Sequence, residues 1–179
     1  MTSNTVRPSL LVALAMVCIG PADGRVIEGQ AAAAAAERTI SVAGSGFDDL
    51  ANAIVHWQTP TPGGTIQQST EIVELFGDLR GRVLYHVTSV FDFVNGTLVN
   101  TGDQVFSGTI AGSRPVMIHD DQFRFEVNLN TGSERGSVFL FDHIAGPKAR
   151  CELLIVGTGV NGAGNPTFDY SGECTFRGE

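Results

Sequence analysis

The sequence predicts an all-β chain: an antiparallel, closed β-barrel of about eight strands with a short N-terminal helix. Three observations carry that prediction. From Thr65 onward, short runs alternate apolar and polar residues with a period of two, the spacing of half-buried strands. Glycine-rich turns separate those runs at regular intervals, and helical periodicity is confined to one short stretch. The composition agrees, because 42% of the 179 residues are apolar, only 17% are charged, and 11 are Phe. Such a chain is too apolar for disorder and has the length of one domain. An antiparallel sandwich carries the same strand-and-turn signature.

The elements follow in order. Residues 1–8 hold one cation, Arg7, and the apolar stretch Leu10 to Ile19 comes next. A short positive region followed by about ten apolar residues reads as a secretory signal peptide, too short to span a bilayer as a helix. The expected signal covers residues 1–22, with cleavage as late as residue 36. A secreted or periplasmic protein with no stable membrane span after processing is the consequence. Residues 23–63 then form an Ala-rich flexible segment, with six consecutive alanines from Ala31 to Ala36, and a short helix. That helix is placed over 47–57, where Phe47, Leu50, Ile54 and Trp57 recur at spacings of three, four and three. It ends at Thr59-Pro60-Thr61-Pro62-Gly63-Gly64, which neither a helix nor a central strand tolerates.

Residues 64–179 form the barrel. Candidate strands cover 65–76, 81–94, 97–100, 104–111, 115–119, 122–131, 136–144, 150–158 and 167–177. Val83, Tyr85, Val87, Ser89, Phe91 and Phe93 make one continuous face; Phe123, Phe125, Val127 and Leu129 make another. Turns fall at Gly77-Asp78, Asn95-Gly96, Thr101-Gly102-Asp103, Gly112-Ser113, Thr131-Gly132-Ser133 and Ala145-Gly146-Pro147. Asn95-Gly96-Thr97 also matches a glycosylation sequon, which only a eukaryotic host would use.

Loss of the signal would remove Cys18 and leave Cys151 and Cys174. An even pair in an exported domain is most simply a disulfide. The segment midway between them, Gly159 to Pro166, is rich in turn residues, so the cysteines face each other across one long hairpin. Closing that loop contributes roughly 3 kcal/mol in the chain-entropy model. Two free buried thiols are the alternative in a reducing compartment.

The run Gly64 to Val94, then Val105 to Val116 with Gly108, Gly112 and Pro115, resembles small exported bacterial barrels similar to allene oxide cyclase. So do Gly157-Thr158-Gly159 and the later Gly162, Gly164, Phe168 and Gly172. The resemblance covers about residues 64–177 and rests mostly on turn glycines. It implies an eight-stranded antiparallel barrel with an apolar lumen. The relatives it points to include plant cyclases, dirigent proteins and bacterial cyclases of polyketide-type substrates. The glycine pattern before the last strand is sparser than in the plant cyclases, and no catalytic residue is carried over.

The formal net charge of −8 excludes a nucleic-acid grip, because phosphate binding is driven by clustered Lys and Arg. Here Lys148 is the only lysine and the arginines are scattered. His56, His86, His119 and His143 have no metal-ligand spacing, and neither Asp120-Asp121 nor the Asn128 to Glu134 segment fits an EF-hand loop. No metal and no cofactor is expected. Gly-x-Ser-x-Gly is absent, and Ser89 and Ser107 have no local base. What remains is a polar residue in an apolar strand phase, whose pKa a lumen would perturb. Glu74 shares its phase with Ile72 and Phe76, Tyr85 with Val83 and Val87, His143 with Phe139 and Phe141, and Tyr170 with Phe168 and Phe176. Glu74, Tyr85, His143 and Tyr170 are therefore the candidate ligand-binding residues; strand-end positions with tips in water are the bland reading of each. Three functions compete: a lumen that binds a small apolar or amphipathic ligand, a cyclase or isomerase acting on a hydrophobic chain, and a packed structural or interaction module that oligomerises through exposed Phe faces.

Overall fold

The computed structural model describes residues 37–178. The expected signal peptide, Cys18 and the alanine run lie outside them. Eleven strands follow in order: β1 (Arg38–Asp48), β2 (Ile54–Thr61), β3 (Gly64–Gly77), β4 (Leu79–Asp92), β5 (Thr97–Ile110), β6 (Val116–Asp120), β7 (Arg124–Asn128), β8 (Glu134–Leu140), β9 (Asp142–Ala145), β10 (Ala149–Val160) and β11 (Pro166–Phe176). Every pairing is antiparallel. Eight strands close on themselves in the cyclic order β1, β11, β10, β8, β7, β5, β4, β3 and back to β1. The other three lie beside this ring: β2 on the first half of β3, β6 on the second half of β5, and β9 on β6. The predicted closed antiparallel barrel is what the chain forms.

The predicted helix is not. Its span holds the end of β1, a single 3-10 turn at Leu50–Asn52, and the start of β2. The helical spacing of Phe47, Leu50, Ile54 and Trp57 buries nothing, since Leu50, Ile54 and Trp57 are exposed, Ile54 by 60%. Pairing wins because β1 finds partners on both edges, β11 and β3. The Pro60 and Pro62 segment is tolerated because β2 is an edge strand whose only partner is β3.

The first stave thus begins at Arg38, before the expected start of the barrel. Its inward positions read Ile40, Val42, Gly44, Gly46 and Asp48. The two glycines make room for rings: Gly44 pairs with Tyr170 and Gly46 with Phe168. A Cβ at Gly44 would collide with the Tyr170 hydroxyl, and one at Gly46 would meet the Phe168 ring. Tyr170 holds this corner together. Its hydroxyl accepts the buried N–H of Leu79 at 2.7 Å and donates to the carbonyl of Phe76 at 3.0 Å.

One end of the barrel is filled. Leu79, Phe106, Ile110, Val116, Ile118, Leu140 and Ala149 are buried there, with Cys151 and Cys174 joined as a disulfide across paired positions of β10 and β11. Where β6 gives way to β7, Asp120 fills the gap. Two adjacent acids would ordinarily lie in solvent, yet Asp120 is only 1% exposed. Its carboxylate accepts from the Gln104 amide at 2.8 Å, the Phe139 N–H at 2.9 Å and the Gln122 N–H at 2.7 Å. Three donors offset its desolvation and tie β5, β8 and the β6–β7 break to one side chain. Among the described residues no helix is long and apolar enough to cross a membrane.

Candidate functional site

The opposite end of the barrel is open, and a cavity of about 560 Å³ runs down the lumen. That volume lies within the range of small-molecule sites. Strand direction orders its wall from mouth to floor. Leu50, Phe91, Leu98, Val127, Val160 and Pro166 surround the mouth. Leu75, Val83, Val138, Leu140, Leu153 and Tyr170 line the floor. Between them lies a polar belt of Asp48, Glu71, Tyr85, Ser89, Asn100 and Glu134.

Pairing register builds the belt. Glu71 of β3 stands directly opposite Tyr85 of β4, which in turn stands opposite Gln104 of β5. Asp48 pairs with Val73, two residues from Glu71 on the same face of β3. Glu134 enters from the start of β8, opposite Val127. The belt is acidic, and no Lys, Arg or His lines the cavity.

Burial governs how these groups hold protons. Asp48 is pushed up to about 9, first by loss of solvent, then by its hydrogen bond with Glu71 and by the charges of Glu71, Glu134 and Asp49. At neutral pH it is therefore a carboxylic acid that donates to Glu71, which also accepts the Ser69 hydroxyl at 2.6 Å. Burial raises Glu134 as well. Tyr85, 5% exposed, is held well above its ordinary range by burial and then by the charges of Glu71, Asp48 and Glu134, against which a hydrogen bond with Asn100 acts. Two enclosed acceptors, Asp48 Oδ1 and Asn100 Oδ1, receive no hydrogen bond from the protein. Tyr85 also packs against Phe123 and Phe125, with ring centroids 4.7 and 6.0 Å away.

The residues singled out from sequence divide evenly. Tyr85 and Tyr170 line the cavity. Tyr170 spends its hydroxyl on Leu79 and Phe76, so it presents a ring edge rather than a free polar group. Glu74 points outward, where it pairs with Arg82 at 2.6 Å. His143 lies on the outer strand β9, exposed, and its Nε2 donates to the Gly146 carbonyl at 2.8 Å. Sequence reasoning missed Asp48, Glu71, Asn100 and Glu134. The signal for Glu71 was present in β3, whose odd positions read Gln67, Ser69, Glu71, Val73 and Leu75, polar toward the mouth and apolar toward the floor.

Compared with known family models, curated proteins and solved structures, the chain finds no match.

Proposed function

We propose that this barrel binds a small amphipathic molecule in its lumen. The ligand's apolar body lies against Leu75, Val83, Leu140 and Leu153, and its polar group meets the belt at Asp48, Glu71 and Tyr85. One observation carries this reading: a cavity of about 560 Å³, open at one end of the barrel, with an apolar floor and a polar belt above it. Burial of the apolar body supplies affinity and a few fixed polar groups supply orientation. A packed module has no use for such a cavity. Displacement of an environment-sensitive fluorescent fatty amine by candidate ligands tests the reading. Ile155→Trp, which fills the lumen, should abolish the signal while the far-ultraviolet circular dichroism stays that of the folded barrel.

A second reading is a cyclase or isomerase of the allene oxide cyclase-like kind. It is favoured by Asp48, a buried proton donor at neutral pH on the same belt as Tyr85. In that reading the lumen pre-folds a reactive hydrophobic chain and Asp48 protonates the oxygen where charge develops. Asp48→Asn would then abolish turnover and leave binding intact. We also infer export to an oxidising compartment, supported by the apolar N-terminal stretch and by the disulfide.

A further inference from the structure

We propose that the lumen selects a cation: its ligand is an amphipathic amine whose ammonium meets the acidic belt to which Asp48, Glu71 and Glu134 contribute, while its apolar chain descends to the floor. This deepens the ligand-binding reading and rests on it.

The argument begins with charge balance. Three carboxyl groups from three staves, β1, β3 and β8, face one apolar cavity, and none of the cavity's lining residues is basic. Outside the lumen three glutamates have an arginine partner, Glu74 with Arg82, Glu126 with Arg124 and Glu37 with Arg177, and buried Asp120 has three N–H donors. Buried charge without a partner is costly, and an unpartnered acidic cluster in a core is rare unless something compensates it. Protonation of Asp48 removes one charge from the cluster and leaves the other acids without a counter-ion.

Polar valences point the same way. Asp48 Oδ1 and Asn100 Oδ1 are enclosed acceptors with no donor. Ser89, 5% exposed, lines the cavity beside them and its hydroxyl can accept as well as donate. Acceptors in excess of donors fit an ammonium, which has donors only. The Tyr85 and Phe125 rings add faces on which a cation is favoured. A metal ion fits less well, since among the described residues no three His, Cys, Asp or Glu side chains are grouped so as to hold one. The floor of Leu75, Val83, Leu140 and Leu153 then asks for an apolar chain below the charge. A fatty-acid carboxylate of the same length would meet like charge.

The test uses three probes of one chain length: n-decylamine, n-decanol and n-decanoate, titrated calorimetrically into the purified protein at pH 7, below their micellar range. Decylamine should bind at least about tenfold more tightly than decanol, with decanoate weakest. Binding should release protons, seen as a heat that changes between buffers of different ionisation enthalpy, because an ammonium lowers the affinity of Asp48 for its proton in the field of Glu71, Glu134, Asp49 and Tyr85. Glu134→Gln and Glu71→Gln should each reduce the amine's advantage and leave decanol binding in place. Decanol or decanoate binding as tightly as the amine would overturn the cation inference and leave the lumen reading standing. If none of the three binds to folded protein, both fail.

Discussion

Asp48 carries a proton inside the barrel and donates it in a hydrogen bond to Glu71, across the seam where β1 meets β3. That pairing fixes how the apo protein answers pH. Asp48 has its ordinary value near 4 when unfolded and about 9 when folded, so the native state holds more protons between those limits. Stability contributed by this group is complete only below its unfolded value of 3.8 and is lost progressively as pH rises to about 9. Urea midpoints should therefore decline from pH 5 to pH 9, and Asp48→Asn should flatten that decline and stabilise the protein at pH 8 by about 2 kcal/mol.

Glu74 and Glu71 are three residues apart and should behave oppositely. Glu74→Gln removes an exposed ion pair, whose Arg82 side chain is 69% accessible, and should cost less than about 0.5 kcal/mol without touching amphiphile binding. Glu71→Gln should alter binding. Parallel melts and titrations of the two variants check the assignment of inner and outer faces.

Asp120→Ala leaves three donors without their acceptor in a buried site. A loss of about 2 to 4 kcal/mol is expected, measured by equilibrium urea unfolding. Asp121→Ala, its neighbour in an exposed turn, should be within about 0.5 kcal/mol of the parent.

Reduction of Cys151–Cys174 frees a hairpin at the closed end of the barrel. Unfolding with and without a thiol reductant should differ by roughly 3 kcal/mol, and the double Ala variant should match the reduced protein to within the cost of its small cavity.

Strands with apolar inner faces were readable from the sequence; strands whose inner faces are glycine or acid were not. β4, β10 and β11 announce themselves through Val83 to Phe91, Cys151 to Ile155 and Phe168 to Cys174. β1 does not, because its inward Gly44 and Gly46 exist to seat Tyr170 and Phe168, rings contributed by residues more than a hundred positions away. The apolar phase-mates Ile72 and Phe76 place Glu74 inward, but pairing register puts the other face of β3 inside. A two-residue turn at Gly77-Asp78 would set Glu74 opposite Gly81 and bring the even positions of β3 onto Tyr85's face. The observed register pairs Leu75 with Gly81 and Glu71 with Tyr85, so the odd positions face inward. Gly77, at φ +101°, takes up the irregularity. Asp48 was hidden for a related reason, since the helical spacing of its neighbours placed it outside any strand. The candidate site was thus half legible: Tyr85 and Tyr170 from alternation alone, the acids only once strand pairing is known.

The most direct test of a hollow, occupied lumen is native mass spectrometry on protein purified from the cells that make it, beside the Ile155→Trp variant. The account predicts a small-molecule adduct on the wild type that extracts into organic solvent and is absent from the filled variant. An apo mass in every charge state, persisting after incubation with decylamine, would contradict it.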